Sequence, residues 1–176
     1  MEEAIVLNYE ISGDDFTRAG EASSDVKKKL KQLGVSPEVV RKVAIAMYEG
    51  EINMVIHANG GAITVEITPE KICMILDDVG PGIPDVDLAM QAGYSTAPDE
   101  VRSLGFGAGM GLPNMKKYTD TMEINTRIGE GTKITMVVDV YKRQFMLLFF
   151  MLVLIDFSLY IGSMQEMVSQ RTAWLS

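Results

Sequence analysis

The chain has 176 residues, a formal net charge of −8 and a hydrophobic fraction of 47%. That length favours a single domain with room for an appendage, and the apolar content is enough for a core. The acidic balance argues against a nucleic-acid footprint, although an acidic protein can still hold ATP, because Mg2+ and backbone N–H groups neutralise phosphate locally. Cys73 is the only cysteine, so no intramolecular disulfide can form; a small buried hydrophobe in a strand is its expected role. The opening Met1-Glu2-Glu3-Ala4 lacks the basic and apolar regions of a secretory signal, and a cytoplasmic location is expected.

In chain order, residues 5–11 read as a strand of mixed apolar and polar residues. Phe16, Ala19, Ser23, Val26, Leu30 and Leu33 recur at steps of three and four, one face of a helix that Gly34 ends. Ser36-Pro37-Glu38 opens a second helix: a natural N-cap, a proline suited to the first helical position and an acid at the positive end. It is expected to run to about His57 and stop at Asn59-Gly60-Gly61. Strict alternation follows, with Ile63, Val65 and Ile67 on one side and Thr64, Glu66 and Thr68 on the other. After a turn at Thr68–Lys71, the wholly apolar Ile72–Leu76 predicts a central strand. Residues 80–111 are rich in Gly, Pro and Asp and predict a long loop with at most short helices, of the kind that usually carries function. A short helix at about Pro113–Tyr118 and two strands, about 122–128 and 133–138, complete the body. This order predicts an α+β two-layer sandwich, helices packed on one face of a mixed, mainly antiparallel sheet.

Residues 139–176 differ in character. Three basic residues (Lys142, Arg143, Arg171) balance three acidic ones (Asp139, Asp156, Glu166), so the whole −8 lies in residues 1–138. The 18 residues from Phe145 to Gly162, with Asp156 inside them, are marginal for a membrane span. Asp139-Val-Tyr-Lys-Arg-Gln144 back-translates as GAT GTG TAT AAG AGA CAG, the end of a widely used transposon adapter. Residues 1–138 are therefore expected to form the functional domain and 139–176 a non-native appendage; a membrane-associated segment and a native soluble helix are the alternatives.

Three elements carry chemistry. Glu49, Asn53 and His57, at i, i+4 and i+8, form one stripe on an otherwise apolar helix, while Glu51 lies about 200° from Glu49 on the other side. Polar groups set among apolar ones must find partners or mark a site; a carboxamide oxygen suits Mg2+ and a carboxylate suits a general base. Asp77-Asp78-Val79-Gly80-Pro81-Gly82-Ile83 delivers acids at the end of an apolar strand, followed by glycines that permit close backbone approach. A carboxylate only accepts hydrogen bonds, so Asp78 suits an exocyclic amino group such as that of adenine. Gly105-Phe106-Gly107-Ala108-Gly109-Met110-Gly111-Leu112-Pro113-Asn114 runs alternating glycines into a helix start, a loop able to wrap phosphates. It has neither the Lys-Ser/Thr ending of a P-loop nor the dinucleotide fingerprint. Each element alone also fits a bland reading: a solvated helix face, a turn after a strand, a flexible loop.

Together, in this order and spacing, they resemble the GHKL (Bergerat-fold) superfamily of gyrase, MutL, the ninety-kilodalton heat-shock chaperone and sensor histidine kinases. Glu49-x-x-x-Asn53 is similar to its N box, Asp78-x-Gly80-x-Gly82 to its first glycine box, Gly107-x-Gly109-x-Gly111 to the second, and Gly129-x-Gly131-Thr132 to the terminal Gly-Thr element. The resemblance implies that Asn53 holds Mg2+, that Glu49 is the catalytic base, and that Asp78 reads the adenine amino group with Thr132 beside it. It also implies that His57, Gly80, Gly82, Ile83, Gly105, Gly107, Gly109, Met110, Gly111, Leu112 and Thr132 belong to the nucleotide site, with 105–111 closing as a lid. No dimerisation helix with a phosphoacceptor histidine accompanies the body. The extended N box to His57, Gly93-Tyr94-Ser95-Thr96 before the lid and Gly111-Leu112-Pro113 after it look most like the small anti-sigma-factor serine kinases of the RsbT, RsbW and SpoIIAB type. That branch implies a partner, a STAS-domain antagonist whose serine is phosphorylated, or a sigma factor or other regulator; a homodimer is common in it. An ATP-dependent binding module, an ATPase clamp and a kinase subunit acting in trans on a histidine-bearing partner are the other functions the motifs allow. Arg102 could meet the phosphates or a partner acid, against the plainer role of a solvated loop arginine.

Overall fold

The computed structural model describes residues 4–13, 15–103 and 106–140. Strands β1 (Ile5–Ser12), β2 (Gly60–Ile67), β3 (Lys71–Asp78), β4 (Thr121–Arg127) and β5 (Gly131–Asp139) form one sheet in the order β1-β2-β3-β5-β4. Helices α1 (Glu21–Gln32), α2 (Pro37–His57), α3 (Val86–Ala89), α4 (Asp99–Ser103) and α5 (Gly111–Tyr118) complete the described residues. Where a mixed, mainly antiparallel sheet is expected, every described pairing is antiparallel.

The alternation read from the sequence sets which face is buried. Ile63, Val65 and Ile67 of β2, Ile72, Met74 and Leu76 of β3, and Ile134, Met136 and Val138 of β5 all enter the core. They meet Val40, Val43 and Met47 of α2, Val26 and Leu30 of α1, and Met115 of α5. The apolar β3 occupies the centre of the sheet, as its lack of a polar face predicts. Gly50 lets α2 lie close on the sheet: a Cβ there would sit 2.1 Å from Leu76 Cδ2.

Helix α2 has the predicted bounds, and the Ser36 side chain accepts from Val39 N–H at its start. Helix α1 is shorter than its apolar periodicity predicts. Gly20 adopts φ 94, outside the range of a right-handed helix, so residues 16–20 form turns and the helix begins at Glu21. Phe16 then leaves the helix face and meets Phe106, with ring centroids 6.0 Å apart.

Glu51, expected only to face away from Glu49, is a structural keystone. It is 1% exposed, and its carboxylate accepts from the backbone N–H groups of Gly20 (2.9 Å), Ala22 (3.1 Å) and Ser23 (2.9 Å). These are first-turn donors of α1, which no side chain of α1 caps. An anion at the positive end of a helix satisfies both the donors and the macrodipole. Strand β5 runs to Asp139, and Val140 N–H donates to Glu70. The apolar segment from 141 onward lies outside the described residues, and with it the competing readings of the tail. No helix among the described residues is long and apolar enough to cross a membrane.

Candidate functional site

The stripe on α2 faces a cavity of about 750 Å3 bounded by the end of β3, the 80–111 loop and α5. Small-molecule sites usually fall between about 300 and 1,000 Å3. Glu49, Asn53 and His57 all line it, as the helical spacing requires. The Glu49 carboxylate accepts a 2.7 Å hydrogen bond from Asn114 Nδ2 of α5. His57 Nδ1 lies 3.4 Å from Thr96 Oγ1, and burial holds the imidazole below its ordinary pKa, which favours the neutral ring.

Opposite α2, β3 delivers Asp78 to the cavity. Its Oδ1 accepts from the Thr132 N–H at 2.9 Å, the one hydrogen bond to this carboxylate among the described residues. Burial pushes the Asp78 carboxyl above the usual range, offset in part by the Thr132 N–H and reinforced by neighbouring Asp77. Thr132 is buried, and its hydroxyl lies 3.0 Å from Thr126 Oγ1; Thr126 Oγ1 in turn accepts from Ile83 N–H at 2.8 Å. Thr126, which no sequence motif marks, thus ties the loop after the first glycine box to the terminal Gly-Thr element. Gly82 and Ile83 line the cavity; Gly80 does not. A Cβ at Gly80 would meet Ala58 Cβ at 2.9 Å and Asp78 Oδ1 at 3.0 Å, so this glycine lets the turn pass the end of α2.

The third wall is the glycine-rich loop. Gly107, Gly109, Met110, Gly111 and Leu112 line the cavity; Gly105 lies outside the described residues. Gly109, at φ 72, accepts from Gly93 N–H, and a Cβ on it would come within 2.4–2.7 Å of the Gly93 and Tyr94 backbone. Only glycine allows the two arms of the loop to approach so closely. Arg102 donates to the Ser95 carbonyl at 2.8 Å, so in this structure it braces the loop.

The motifs separated by up to 83 positions in sequence (49 to 132) therefore share one cavity. Whether its residues fit a magnesium nucleotide can be tested on the geometry. A Cβ at Gly111 would lie 3.0 Å from Asn53 Nδ2 and 3.1 Å from Oδ1, so glycine lets the start of α5 pack closely against the Asn53 carboxamide. No side chain caps that start at Met110, which leaves first-turn N–H groups for an anion. Among the described residues no three His, Cys, Asp or Glu side chains cluster for a metal. A lone carboxamide beside phosphates suits Mg2+, which keeps waters and takes few protein ligands. Ile56, Ile83, Leu88 and Ile134 give the Asp78 end apolar walls suited to a base. The residues fit the group.

A family model described as a histidine kinase-like ATPase domain matches residues 14–138. The serine/threonine-protein kinase RsbT of Bacillus subtilis (strain 168) is 32% identical over 108 residues, 59% of this chain and 75% of that protein. An anti-sigma F factor of Caldanaerobacter subterraneus subsp. tengcongensis is 34% identical over 110 residues, 60% of this chain and 73% of that protein. Among solved structures, the mycobacterial sensor histidine kinase MprB superposes with a TM-score of 0.45 at 16% identity, covering 77% of this chain and 97% of that one.

Proposed function

The chain belongs to the histidine kinase-like ATPase domain family, and from that premise we propose that it is a Mg-ATP-dependent serine/threonine protein kinase and anti-sigma regulatory factor of a partner-switching module. Its substrate would be a serine on a small STAS-domain antagonist. Support comes from relatives named as a serine/threonine kinase and as anti-sigma F factors. The observation that carries the reading is the Glu49 carboxylate, lining the cavity one helical turn from Asn53 and held from one side by Asn114.

In this reading Asp78 accepts from the adenine amino group, and the first-turn N–H groups of α5 receive the phosphates. Asn53 would hold Mg2+, which when bound offsets the charge of the phosphate oxygens. Glu49 takes the proton from the acceptor serine as its oxygen forms a bond to the γ-phosphorus. The bond from that phosphorus to the β–γ bridging oxygen breaks, and ADP leaves with the electron pair. Positioning and electrostatics supply most of the rate in such a transfer.

The test is to incubate the full chain with Mg-ATP and a STAS-domain protein and to assay acid-stable phosphate on serine. Glu49→Ala should leave Mg-ATP binding within about tenfold and lower transfer by at least about a hundredfold, the range for losing a general base. Full transfer by that variant would show Glu49 misassigned. The second reading, a module that grips a sigma factor without transfer, draws on the anti-sigma F names; nucleotide binding without phosphate transfer would mark it. A cytoplasmic location, a homodimer and a non-native segment from residue 139 belong to the same proposal. Reading the source locus with a different library chemistry tests the last of these.

A further inference from the structure

Asn114 belongs to no nucleotide-binding box, yet among the described residues it is the one side chain that holds Glu49. Its Nδ2 donates to Glu49 Oε1 at 2.7 Å across the interface between α5 and α2, a contact 65 residues apart in sequence. The backbone fixes where that donor stands. Asn114 N–H bonds to Met110 O at 2.9 Å in the first turn of α5, directly after the glycine loop. The next residue, Met115, is fully buried in the core. The loop is anchored in turn, since Gly109 O accepts from Gly93 N–H. The donor to the carboxylate therefore stands five residues from the loop's last anchor.

A carboxylate on a helix has three soft torsions and two equivalent oxygens. A fixed donor on one oxygen removes that freedom and leaves the other oxygen to take a proton in one direction. We propose that Asn114 is a positioning residue: it orients Glu49 for proton abstraction and ties that orientation to the seating of the helix that follows the glycine loop. This rests on Glu49 being the base, and the two ideas can fail separately.

The measurement is steady-state ADP formation from Mg-ATP by the full chain, with the STAS-domain protein of the proposed transfer as acceptor, across pH, together with calorimetric titration of a non-hydrolysable ATP analogue. Asn114→Leu should lower kcat about 10- to 100-fold, the scale of a misplaced reacting group, with KM for ATP and analogue affinity within about threefold. Asn114→Gln, which keeps the donor, should recover part of the loss. Asn114→Asp sets a second carboxyl against Glu49 and should move the acidic limb of the kcat profile upward by about one pH unit or more. A merely structural residue would not do this. In a Glu49→Gln background, Asn114→Leu should cost nothing further, because the group it orients is gone.

Loss of the same size in both backgrounds, an unmoved pH profile, or unchanged kcat in Asn114→Leu would overturn the positioning role and leave the base intact. If Glu49→Gln turns over like wild type, or wild type forms no ADP, the base reading fails and this one with it. Thermal unfolding of each variant identifies a failure to fold, and Asn114→Gln then stands as the deciding substitution.

Discussion

Asp78→Asn separates recognition of the base from support of the fold. The aspartate can accept from Thr132 N–H and from an adenine amino group at once, because an ionised carboxylate has two accepting oxygens. The asparagine has one. If its oxygen stays on Thr132, its NH2 confronts the adenine amino group; if it flips, the NH2 confronts the Thr132 N–H. Either way one buried donor goes unmet, at about 1–3 kcal/mol, or roughly 5- to 150-fold in affinity. The free protein should tolerate the change. Burial raises the Asp78 carboxyl above its ordinary 3.8. An acid with a raised folded-state pKa contributes stability below its ordinary pKa and loses it as pH rises through the folded value. At neutral pH the ionised group is thus a burden that a neutral amide removes, and the ligand-free melting temperature should hold or rise slightly. Calorimetry should show wild-type ATP affinity falling as pH is lowered toward that raised pKa, and the variant losing this dependence. GTP presents an acceptor where ATP presents a donor, so the variant's preference for ATP over GTP should also shrink. Unchanged ATP affinity would refute adenine readout by Asp78. A fall in affinity together with a collapse in melting temperature would mean that the residue acts through Thr132 and the β3–β5 pairing.

Two further outcomes follow from contacts outside the nucleotide boxes. Glu51→Gln turns one acceptor toward the α1 donors into a donor, and should cost about 2–3 kcal/mol of stability, on the order of 10 °C in melting temperature. A calorimetric loss below about 0.5 kcal/mol would mean that water from the cleft beside Glu51 replaces the carboxylate. Phe16→Ala removes the ring contact with Phe106 of the glycine loop, worth about 0.5–1.5 kcal/mol beyond its area. Release of a fluorescent ATP analogue in stopped flow should quicken by about 2- to 10-fold with association little changed, and an unchanged release rate would show that the loop closes without Phe16.

What the sequence shows and what it hides divide along physical lines. Period-two alternation at 63–68 and the apolar run at 72–76 name the buried face and the central strand correctly, because a strand buried on one face or both leaves its pattern locally. Ser36-Pro37 and the glycines near 60 fix α2 almost to the residue for the same reason. The stripe of Glu49, Asn53 and His57 is legible because helical geometry alone puts it on one face. Glu51 is not: its three partners lie 28 to 31 residues away, and no window on α2 reveals that a neighbouring helix begins there. Asn114 is hidden likewise, its partner lying 65 residues off. The early start predicted for α1 fails through Gly20, whose left-handed backbone outweighs an apolar spacing that continues back to Phe16. Phe16 keeps its apolar character and finds a different partner.

The two carboxylates of α2 show how one helix serves both fold and site. Glu49 and Glu51, two residues apart and so on opposite sides, are each held by hydrogen bonds from other elements, one by Asn114 at the start of α5 and one by the start of α1. The starts of α1 and α5 are also where the chain leaves the Phe16 turn and the glycine loop, and those two segments meet through Phe16 and Phe106. A closed path thus runs from Glu49 through Asn114, the loop, Phe106, Phe16 and α1 back to Glu51. Residues 106–114 are thus tied to α2 from both sides, and a large displacement of them breaks one of these contacts. The weakest of these is the aromatic pair, of which Phe106 lines the cavity. The stronger hydrogen bonds stand at the helix starts, where motion would misplace Glu49 or unseat α1. On the proposed reading, in which the glycine loop closes over bound nucleotide, this distribution lets the loop yield at the aromatic pair without disturbing Glu49.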